Sequence, residues 1–287
     1  MSLSGKARLA GVVGFPVAHS LSPLLHGFWL HEHKIDGVYV PLPVRTPDFS
    51  IALEGLRTAG FVGVNVTVPH KEAAFSLAET VDETARLAGA VNLLLLHDQG
   101  IEGRNTDVEG LSASLAEELG NDPLKTRAVL VLGAGGGARA AVLAGARLHA
   151  VEIRIASRND ERSHALVRSL QPRLATRLVS VPWNARYSAT QDAHLLINTT
   201  SAGMVGHPLL DMSLDRLSPG AAVCDIVYNP LQTGLLRAAK ARGLLAIDGL
   251  GMLLHQAVPA FEAFYGIRPI VSVALRLELE RALANGV

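Results

Sequence analysis

The feature that most constrains the fold is a glycine-rich turn between an apolar run and an alanine-rich segment. Residues Val129–Gly145 read VLVLGAGGGARAAVLAG. A strand that runs through glycines into a helix is typical of a dinucleotide-binding βαβ unit with the pattern G-x-G-x-x-A. The first glycine permits a tight turn, the second lets a pyrophosphate approach the backbone, and the helix N-terminus offers free N–H groups. We predict that this site comprises Gly133, Ala134, Gly135, Gly136, Gly137 and Ala138; the alternative is a glycine turn without a ligand.

The residues after the next apolar run bear on which dinucleotide binds. Ser157 and Arg158 follow this run, about 20 residues past the first glycine, where the adenosine ribose is expected. Arg158 and Arg162 lie four positions apart, so their guanidinium groups favour the 2′-phosphate of NADP. Asp160 between them leaves NAD as an alternative, since a carboxylate accepts a hydrogen bond from a free ribose hydroxyl.

Strand-length apolar runs alternate with helix-length segments along both halves of the chain, which predicts an α/β fold with parallel sheets. The first series of runs comprises Leu9–Phe15, Gly37–Leu42, Gly63–Thr67, Val91–Leu96 and Ile101–Arg104, and the second begins at Ala128–Gly133. Gly249–Tyr265 and Pro269–Ala284 are predicted to be terminal helices that fold back onto the first domain. We expect two α/β domains with a cleft between them. Residues 1–105 with 249–287 form one with a mostly parallel sheet, and residues 106–248 form a Rossmann-type dinucleotide-binding domain.

Charge and composition exclude several classes of partner. The chain has 26 Lys and Arg residues against 26 Asp and Glu, and so lacks the basic excess typical of nucleic-acid or membrane-surface binding. Its one cysteine, Cys224, argues against a disulfide framework and a cysteine-based zinc site. The apolar run after Lys6 and Arg8 ends at Pro16 without a convincing cleavage site, so we expect a cytoplasmic protein with no bound metal.

Three polar clusters stand beside strand ends in the first half, where ligands of open α/β sheets bind. The first contains Ser20 and Ser22, two hydroxyls suited to a small carboxylate; Ser22 before Pro23 also fits an N-cap. The second contains Asn65 and Thr67, on one face of a strand, followed by Lys71 at a helix start. A surface lysine is the alternative for Lys71, although the helix dipole disfavours a cation there. The third contains Asn92 and Asp107; Asp107 also suits a first helical turn.

The chain as a whole, from about Gly11 to Ala284, resembles the shikimate dehydrogenase family. The matching blocks are GFPVAHSLSP, GVNVTVPHK, AVN, GRNTDVEG, VLGAGGGARA, NTTSAGM, DIVYNPLQTGLL and DGLGMLLHQA. The resemblance implies reversible hydride transfer between NADP and the C3 carbon of shikimate. The expected partner is this small-molecule substrate, and the expected assembly is a monomer or a homodimer.

The resemblance also implies roles for individual residues. Ser20 and Ser22 would bind the substrate carboxylate, and the ring hydroxyls would be held by Asn65, Thr67, Asn92, Asp107 and Gln256. Lys71 and Asp107 would form the catalytic pair. Tyr228 would contact the substrate, and Gly249 and Met252 would line the cleft beside it, near the nicotinamide. Arg158 and Arg162, with Ser157 before them, would lie at the adenosine phosphate of the cofactor.

Two departures from the family pattern leave alternatives open. Leu93 follows the Asn of AVN where the family commonly has Thr, and the usual Asn-Arg-Thr reads Ser157-Arg158-Asn159. With Asp160 next, this resembles the quinate/shikimate branch that accepts NAD, so a quinate/shikimate dehydrogenase using NAD or both cofactors is the nearest alternative. A non-catalytic sensor of dinucleotide or shikimate is more remote, because Lys71 and Asp107 are both present.

Overall fold

The computed structural model describes residues 3–120 and 124–286, which divide into two compact units. The first unit contains the residues up to Thr106 and those from Leu254 onward, and the second contains Asp107–Leu253. These boundaries lie close to the predicted domain limits. Which ligand belongs to which domain stays a prediction.

The first unit has one six-stranded sheet with the order β2-β1-β3-β5-β6-β4. Its strands are β1 (Arg8–Gly14), β2 (Gly37–Pro43), β3 (Phe61–Val66), β4 (Thr80–Val81), β5 (Leu93–His97) and β6 (Gly100–Arg104). β1 pairs in parallel with β2 and β3, but β5 is antiparallel to β3 and β6. The mostly parallel sheet is confirmed, and β5 and β6 are antiparallel because the turn that joins them is too short for a crossover helix.

Helices α1 (Ser22–Glu32), α2 (Phe49–Thr58), α3 (Lys71–Leu77) and α4 (Glu83–Ala88) connect these strands. Both ends of α4 are defined by capping residues. The side chain of Asp82 accepts from the Ala85 N–H at 2.6 Å at the start of the helix, and Gly89, with φ +58°, ends it. The apolar core of this unit includes Val13, Leu53, Val64 and Leu94, all at most 1% exposed. This core supports the strands whose ends carry the predicted polar clusters.

The second unit has a fully parallel sheet with the order β12-β11-β10-β7-β8-β9. Its elements, in chain order, are α5 (Asp107–Leu119), β7 (Ala128–Leu132), α6 (Gly136–Arg147), β8 (Glu152–Ser157), α7 (Asp160–Leu170), β9 (Arg177–Pro182), β10 (Ala193–Asn198), β11 (Ala222–Asp225), α8 (Gly234–Ala241) and β12 (Leu245–Ile247). The order is that of a doubly wound dinucleotide-binding fold, whose switch point lies between β7 and β10. The predicted Rossmann-type sheet is thereby confirmed.

Two further helices follow, α9 (Gly249–Tyr265) and α10 (Val273–Ala284). The limits of α9 match the prediction. α10 begins four residues later than predicted from Pro269, because Ser272 caps it by accepting from the Leu275 N–H at 3.2 Å. Among the residues that the structure describes, no helix has the length and apolarity needed to cross a membrane.

Candidate active site

Polar side chains from two strands and a following turn form a buried network in the first unit. The Tyr39 hydroxyl donates to Asn65 Oδ1 at 2.8 Å, and Asn65 Nδ2 donates to the Asn92 carbonyl at 3.1 Å. Asn65 and Asn92 are 6% and 2% exposed. Because both amides are buried and bonded, their orientation is fixed before any ligand arrives.

The same network continues from Asn92 to a residue far along the chain. Asn92 Nδ2 donates to Thr106 Oγ1 at 2.9 Å, and Asn92 Oδ1 accepts from the Thr106 N–H at 2.7 Å. Thr106 Oγ1 then donates to Gln256 Oε1 at 3.4 Å. The structure thus links Gln256, on α9, to Asn92 through Thr106. A shared role of Asn92 and Gln256 at the ring hydroxyls stays a prediction.

The serine pair lies at the start of α1. Ser20 Oγ accepts from the Ser22 N–H at 3.3 Å, and the Ser22 hydroxyl bonds to the Tyr39 hydroxyl. The expected N-cap role of Ser22 is wrong: the N-cap is Leu21, in an α-helical conformation with no side-chain cap, and Ser22 is already helical. Its hydroxyl is consequently available to the polar network rather than to the helix end.

Tyr39 and His26, which were not predicted to belong to the site, support this network. The rings stack with centroids 3.9 Å apart and planes 6° from parallel. His26 is fully buried, and neither ring nitrogen has a hydrogen-bond partner. Burial therefore lowers the pKa of His26 to about 3, and burial also raises the pKa of Tyr39 well above its usual value. The helical spacing of Ser22 and His26 was the only sequence signal for this arrangement.

Lys71 is the first residue of α3 and is half-buried. Its carbonyl accepts from the Val91 N–H at 3.0 Å, which ties the helix start to the residue before Asn92. The preceding His70 is buried, stacks on Phe49 at 4.4 Å, and bonds through Nε2 to the Val44 carbonyl at 2.7 Å. This turn is therefore firmly packed, unlike the surroundings of an ordinary surface lysine.

Thr67 and Asp107 are two further residues of the predicted substrate and catalytic set. Thr67 directly follows β3, and its N–H donates to the Val13 carbonyl at 2.9 Å. Asp107 is the first residue of α5, is partly buried, and belongs to the second unit. A carboxylate in this first helical turn is also favoured by the helix dipole.

In the second unit, the glycine turn is shaped for a close ligand. Gly133 has φ +115°, and a Cβ there would lie 2.5 Å from Thr199 Oγ1. Cβ atoms on Gly135 or Gly136 would meet nothing within 4 Å, and Gly135 caps α6 without a side-chain hydrogen bond. Ala138 is fully buried against the sheet. Open backbone at the N-terminus of a twelve-residue helix fits the pyrophosphate of a dinucleotide.

The residues predicted at the adenosine ribose lie between β8 and α7. Ser157 ends β8, one residue later than expected, and its buried Oγ accepts from the Asn159 N–H at 3.2 Å. Asn159 caps α7 by accepting from the Arg162 N–H at 3.0 Å. Both Arg158 and Arg162 are exposed. Asp160 opens α7, where the helix dipole favours a carboxylate, so its presence has a structural reason independent of any ribose.

The remaining predicted residues follow β11 and begin α9. Tyr228 is half-buried, and burial raises its pKa. A Cβ on Gly249 would overlap the Ile226 carbonyl, so glycine is required there for close packing. Met252 is partly exposed on the first turn of α9. Contacts of these three residues with a ligand stay a prediction.

The loop after β10, which was not predicted to belong to the site, lies beside the glycine turn. Thr199 donates from both its N–H and its hydroxyl to the Leu132 carbonyl, at 2.9 and 2.6 Å. Leu132 is the residue immediately before Gly133, and β10 is the neighbour of β7 at the switch point. The block NTTSAGM was the available signal, since hydroxyl residues directly after a parallel strand lie at the ligand edge of the sheet.

Comparison with known proteins gives a consistent result. Residues 12–94 match the family model described as the shikimate dehydrogenase substrate binding domain. The chain is 53% identical over 275 residues to a shikimate dehydrogenase (NADP(+)) of Acidiphilium cryptum strain JF-5, covering 96% of each chain.

Solved structures agree over nearly the full length. Shikimate 5-dehydrogenase from Thermus thermophilus, in complex with NADP(H) and shikimate, is 34% identical with a TM-score of 0.83, covering 98% of this chain and all of that one. Quinate dehydrogenase from Corynebacterium glutamicum, in complex with NAD, is 30% identical with a TM-score of 0.87, covering 95% and 98%.

Proposed function

The chain belongs to the shikimate dehydrogenase family, and on this premise we propose that it catalyses the NADPH-dependent reduction of 3-dehydroshikimate to shikimate. The reaction is reversible and serves aromatic amino acid biosynthesis through chorismate. The observation that carries the proposal is the buried network that joins Ser22, Asn65, Asn92 and Gln256, which presents hydroxyls and amides in fixed orientations. Such a surface suits a small polyhydroxylated acid.

We assign the side chains in and beside this network to parts of the substrate. Ser20 and Ser22, at the start of α1, bind the carboxylate, with the Ser22 hydroxyl turning its proton from Tyr39 to the substrate. Asn65, Thr67, Asn92 and Gln256 hold the ring hydroxyls. Because these buried amides are already hydrogen-bonded, they lose little conformational freedom when the substrate binds. Most of the entropy lost on binding is then that of the substrate itself.

Lys71 and Asp107 act at the reacting oxygen. Reduction of the ketone creates alkoxide character, which the Lys71 ammonium neutralises by donating a proton. Asp107 orients that ammonium and accepts from a substrate hydroxyl. In the oxidation direction Lys71 takes the proton back from the hydroxyl.

The glycine turn and the residues after β8 hold the cofactor. NADPH, when bound, supplies the hydride for reduction, and NADP accepts it in the reverse direction. The N–H groups at the start of α6 bind the pyrophosphate, and the open space at Gly135 and Gly136 supports this assignment. Arg158 and Arg162 neutralise the 2′-phosphate, with Ser157 shaping the ribose end.

The run Ser157-Arg158-Asn159-Asp160 resembles the quinate/shikimate branch that accepts NAD, and it favours a second candidate, a quinate/shikimate dehydrogenase. Leu93 is a further departure from the family pattern. Leu93 pairs with Asn65 in the sheet and is fully buried, where the family commonly has a threonine. The substrate region therefore has one hydroxyl fewer than the usual pattern.

Initial rates on shikimate and on quinate, each with NADP and with NAD, separate the two candidates. We expect the highest kcat/KM with shikimate and NADP. Equal or higher efficiency with quinate and NAD would reject our assignment in favour of the quinate branch. Absence of turnover with all four combinations, in protein that binds NADPH, would point to the sensor.

A further inference from the structure

The second unit contains a buried carboxylate that has no role in the proposed binding of substrate or cofactor. Asp225 ends β11 and is fully buried. Its Oδ1 accepts from Asn198 Nδ2 at 2.9 Å and from the Val227 N–H at 3.1 Å, and its Oδ2 accepts from Thr233 Oγ1 at 2.7 Å. All three partners are donors in this arrangement, so an acceptor-only group matches them.

Through its hydrogen bond with Asn198, this carboxylate holds the loop that follows β10. Asn198 ends β10 and pairs with Asp225 in the parallel register. Its Oδ1 accepts from the Thr200 N–H at 3.1 Å and from the Thr200 hydroxyl at 2.8 Å, while its Nδ2 also donates to the Ala202 carbonyl at 3.2 Å. One asparagine thus anchors the start of the loop, and Asp225 fixes the orientation of that asparagine.

The same carboxylate holds the loop that follows β11, through the Val227 N–H and the Thr233 hydroxyl. The Val227 N–H, next to Tyr228, is bonded directly to the carboxylate. Thr233 caps α8 by accepting from the Leu236 N–H, so the far end of this loop is held as well. Between these points the Val205 N–H donates to the Asn229 carbonyl at 3.1 Å, which joins the two loops to each other.

The joined loops reach the predicted pyrophosphate site. Thr199, at the beginning of the first loop, bonds to the Leu132 carbonyl, and its Oγ1 occupies the space that a Cβ on Gly133 would need. The side chain of Ile226, from the second loop, lies 2.8 Å from the Cβ position of Gly137. Displacement of either loop would therefore change the walls of the glycine turn.

We propose that Asp225 is a positioning residue that holds loops 199–205 and 226–233 together at the carboxyl edge of the sheet and thereby sets the affinity for the dinucleotide. The inference rests on the proposed function only in naming NADPH as that dinucleotide. Asp225 does not touch the cofactor; it acts through Asn198, Val227 and Thr233.

Asp225→Asn is the direct test, because it keeps the shape and places an amide N–H among three donors. We expect NADPH binding, followed by fluorescence titration of the full-length protein, to weaken about tenfold, the effect of losing one hydrogen bond to a charged group. The KM for shikimate is expected to rise less than the Kd for NADPH, because Tyr228 is a predicted shikimate contact on these loops, whereas the predicted serines and amides lie in the first unit. General loosening of the fold would instead raise both constants to the same extent.

Matched variants keep the test decisive if Asp225→Asn does not fold. Thr233→Val removes the bond to Asp225 Oδ2, whereas Thr233→Ser retains a hydroxyl; we expect weaker NADPH binding in the first and unchanged binding in the second. Asp215→Asn removes an exposed carboxylate of the same unit and serves as the charge control. Thermal unfolding confirms which variants are folded.

The outcomes separate this inference from the proposed function. Unchanged NADPH affinity in a folded Asp225→Asn, or in Thr233→Val if that alone folds, would overturn the inference. An equal loss in Asp215→Asn, or a parallel rise in the KM for shikimate, would overturn it too. Failure of the unsubstituted chain to bind NADPH would instead overturn the cofactor assignment of the proposed function.

Discussion

Replacement of His26 by phenylalanine should remove a specific acid sensitivity from the first unit. His26 is fully buried, stacks on Tyr39 and has two unpartnered ring nitrogens. Burial lowers the pKa of its imidazole from 6.5 to about 3. The folded state thus excludes a proton that the unfolded chain binds readily below pH 6.5.

The sign and size of the effect follow from proton linkage. Between the two pKa values the unfolded state binds more protons than the folded state. The contribution of His26 to the free energy of unfolding is therefore fully present above pH 6.5 and falls as the pH drops toward 3. When the pH is lowered from 7 to 5, protonation of His26 in the unfolded state lowers the free energy of unfolding by about 2 kcal/mol, since the slope is about 1.36 kcal/mol for each pH unit well below 6.5. Phenylalanine lacks the titration, so the variant should lose about 2 kcal/mol less over the same interval.

Urea unfolding at pH 7, 6 and 5 measures this difference. The chain has two tryptophans; Trp29 lies in the first unit, 5.3 Å from Phe261, and Trp183 in the second. A Trp183→Phe background makes the fluorescence report on the first unit alone. Ring size also alters stability at pH 7, so only the change with pH is compared between His26→Phe and the parent.

The same acid-induced loss in both proteins would refute the reasoning, because it would mean that His26 is protonated in the folded state or is not buried. His207→Gln, which removes an exposed imidazole, is the control. A neutral His26 also predicts that ring stacking on Tyr39 persists at pH 5.

Three further substitutions test the proposed site. Lys71→Met should lower kcat by a factor of about 10² or more while shikimate binding, measured calorimetrically, survives far better; retained turnover would remove Lys71 from the mechanism. Arg158→Ala should raise the KM for NADP and spare NAD, whereas Arg168→Ala, on the exposed last turn of α7, should change neither; equal effects on both cofactors would contradict a 2′-phosphate clamp. Tyr39→Phe leaves the buried Asn65 Oδ1 without its donor, which should lower the free energy of unfolding by about 1–3 kcal/mol. The variant should also raise the KM for shikimate several-fold and leave the NADPH affinity unchanged. An unaltered KM would show that Tyr39 does not order the side chains that bind the substrate.

Much of the architecture was readable because its signals are local. The glycine turn, the apolar runs and the polar residues at strand ends follow from backbone sterics and from side-chain alternation within a few residues. For this reason β7, α6 and α9 lie where the sequence predicted them. Local rules failed where a competing partner was remote: Ser22 looks like an N-cap, but its hydroxyl bonds to Tyr39 on the next strand.

The sequence by itself determined the two α/β halves, the glycine turn and the set of polar residues at the strand ends. Only the tertiary structure decided how those residues are held. The stacking of His26 on Tyr39, the bridge from Asn92 through Thr106 to Gln256, and the carboxylate of Asp225 between two loops join residues that lie 8 to 150 positions apart. Such contacts depend on strand order, register and burial of the whole core, since a hydrogen bond between distant side chains forms only after packing has placed donor and acceptor within about 3 Å.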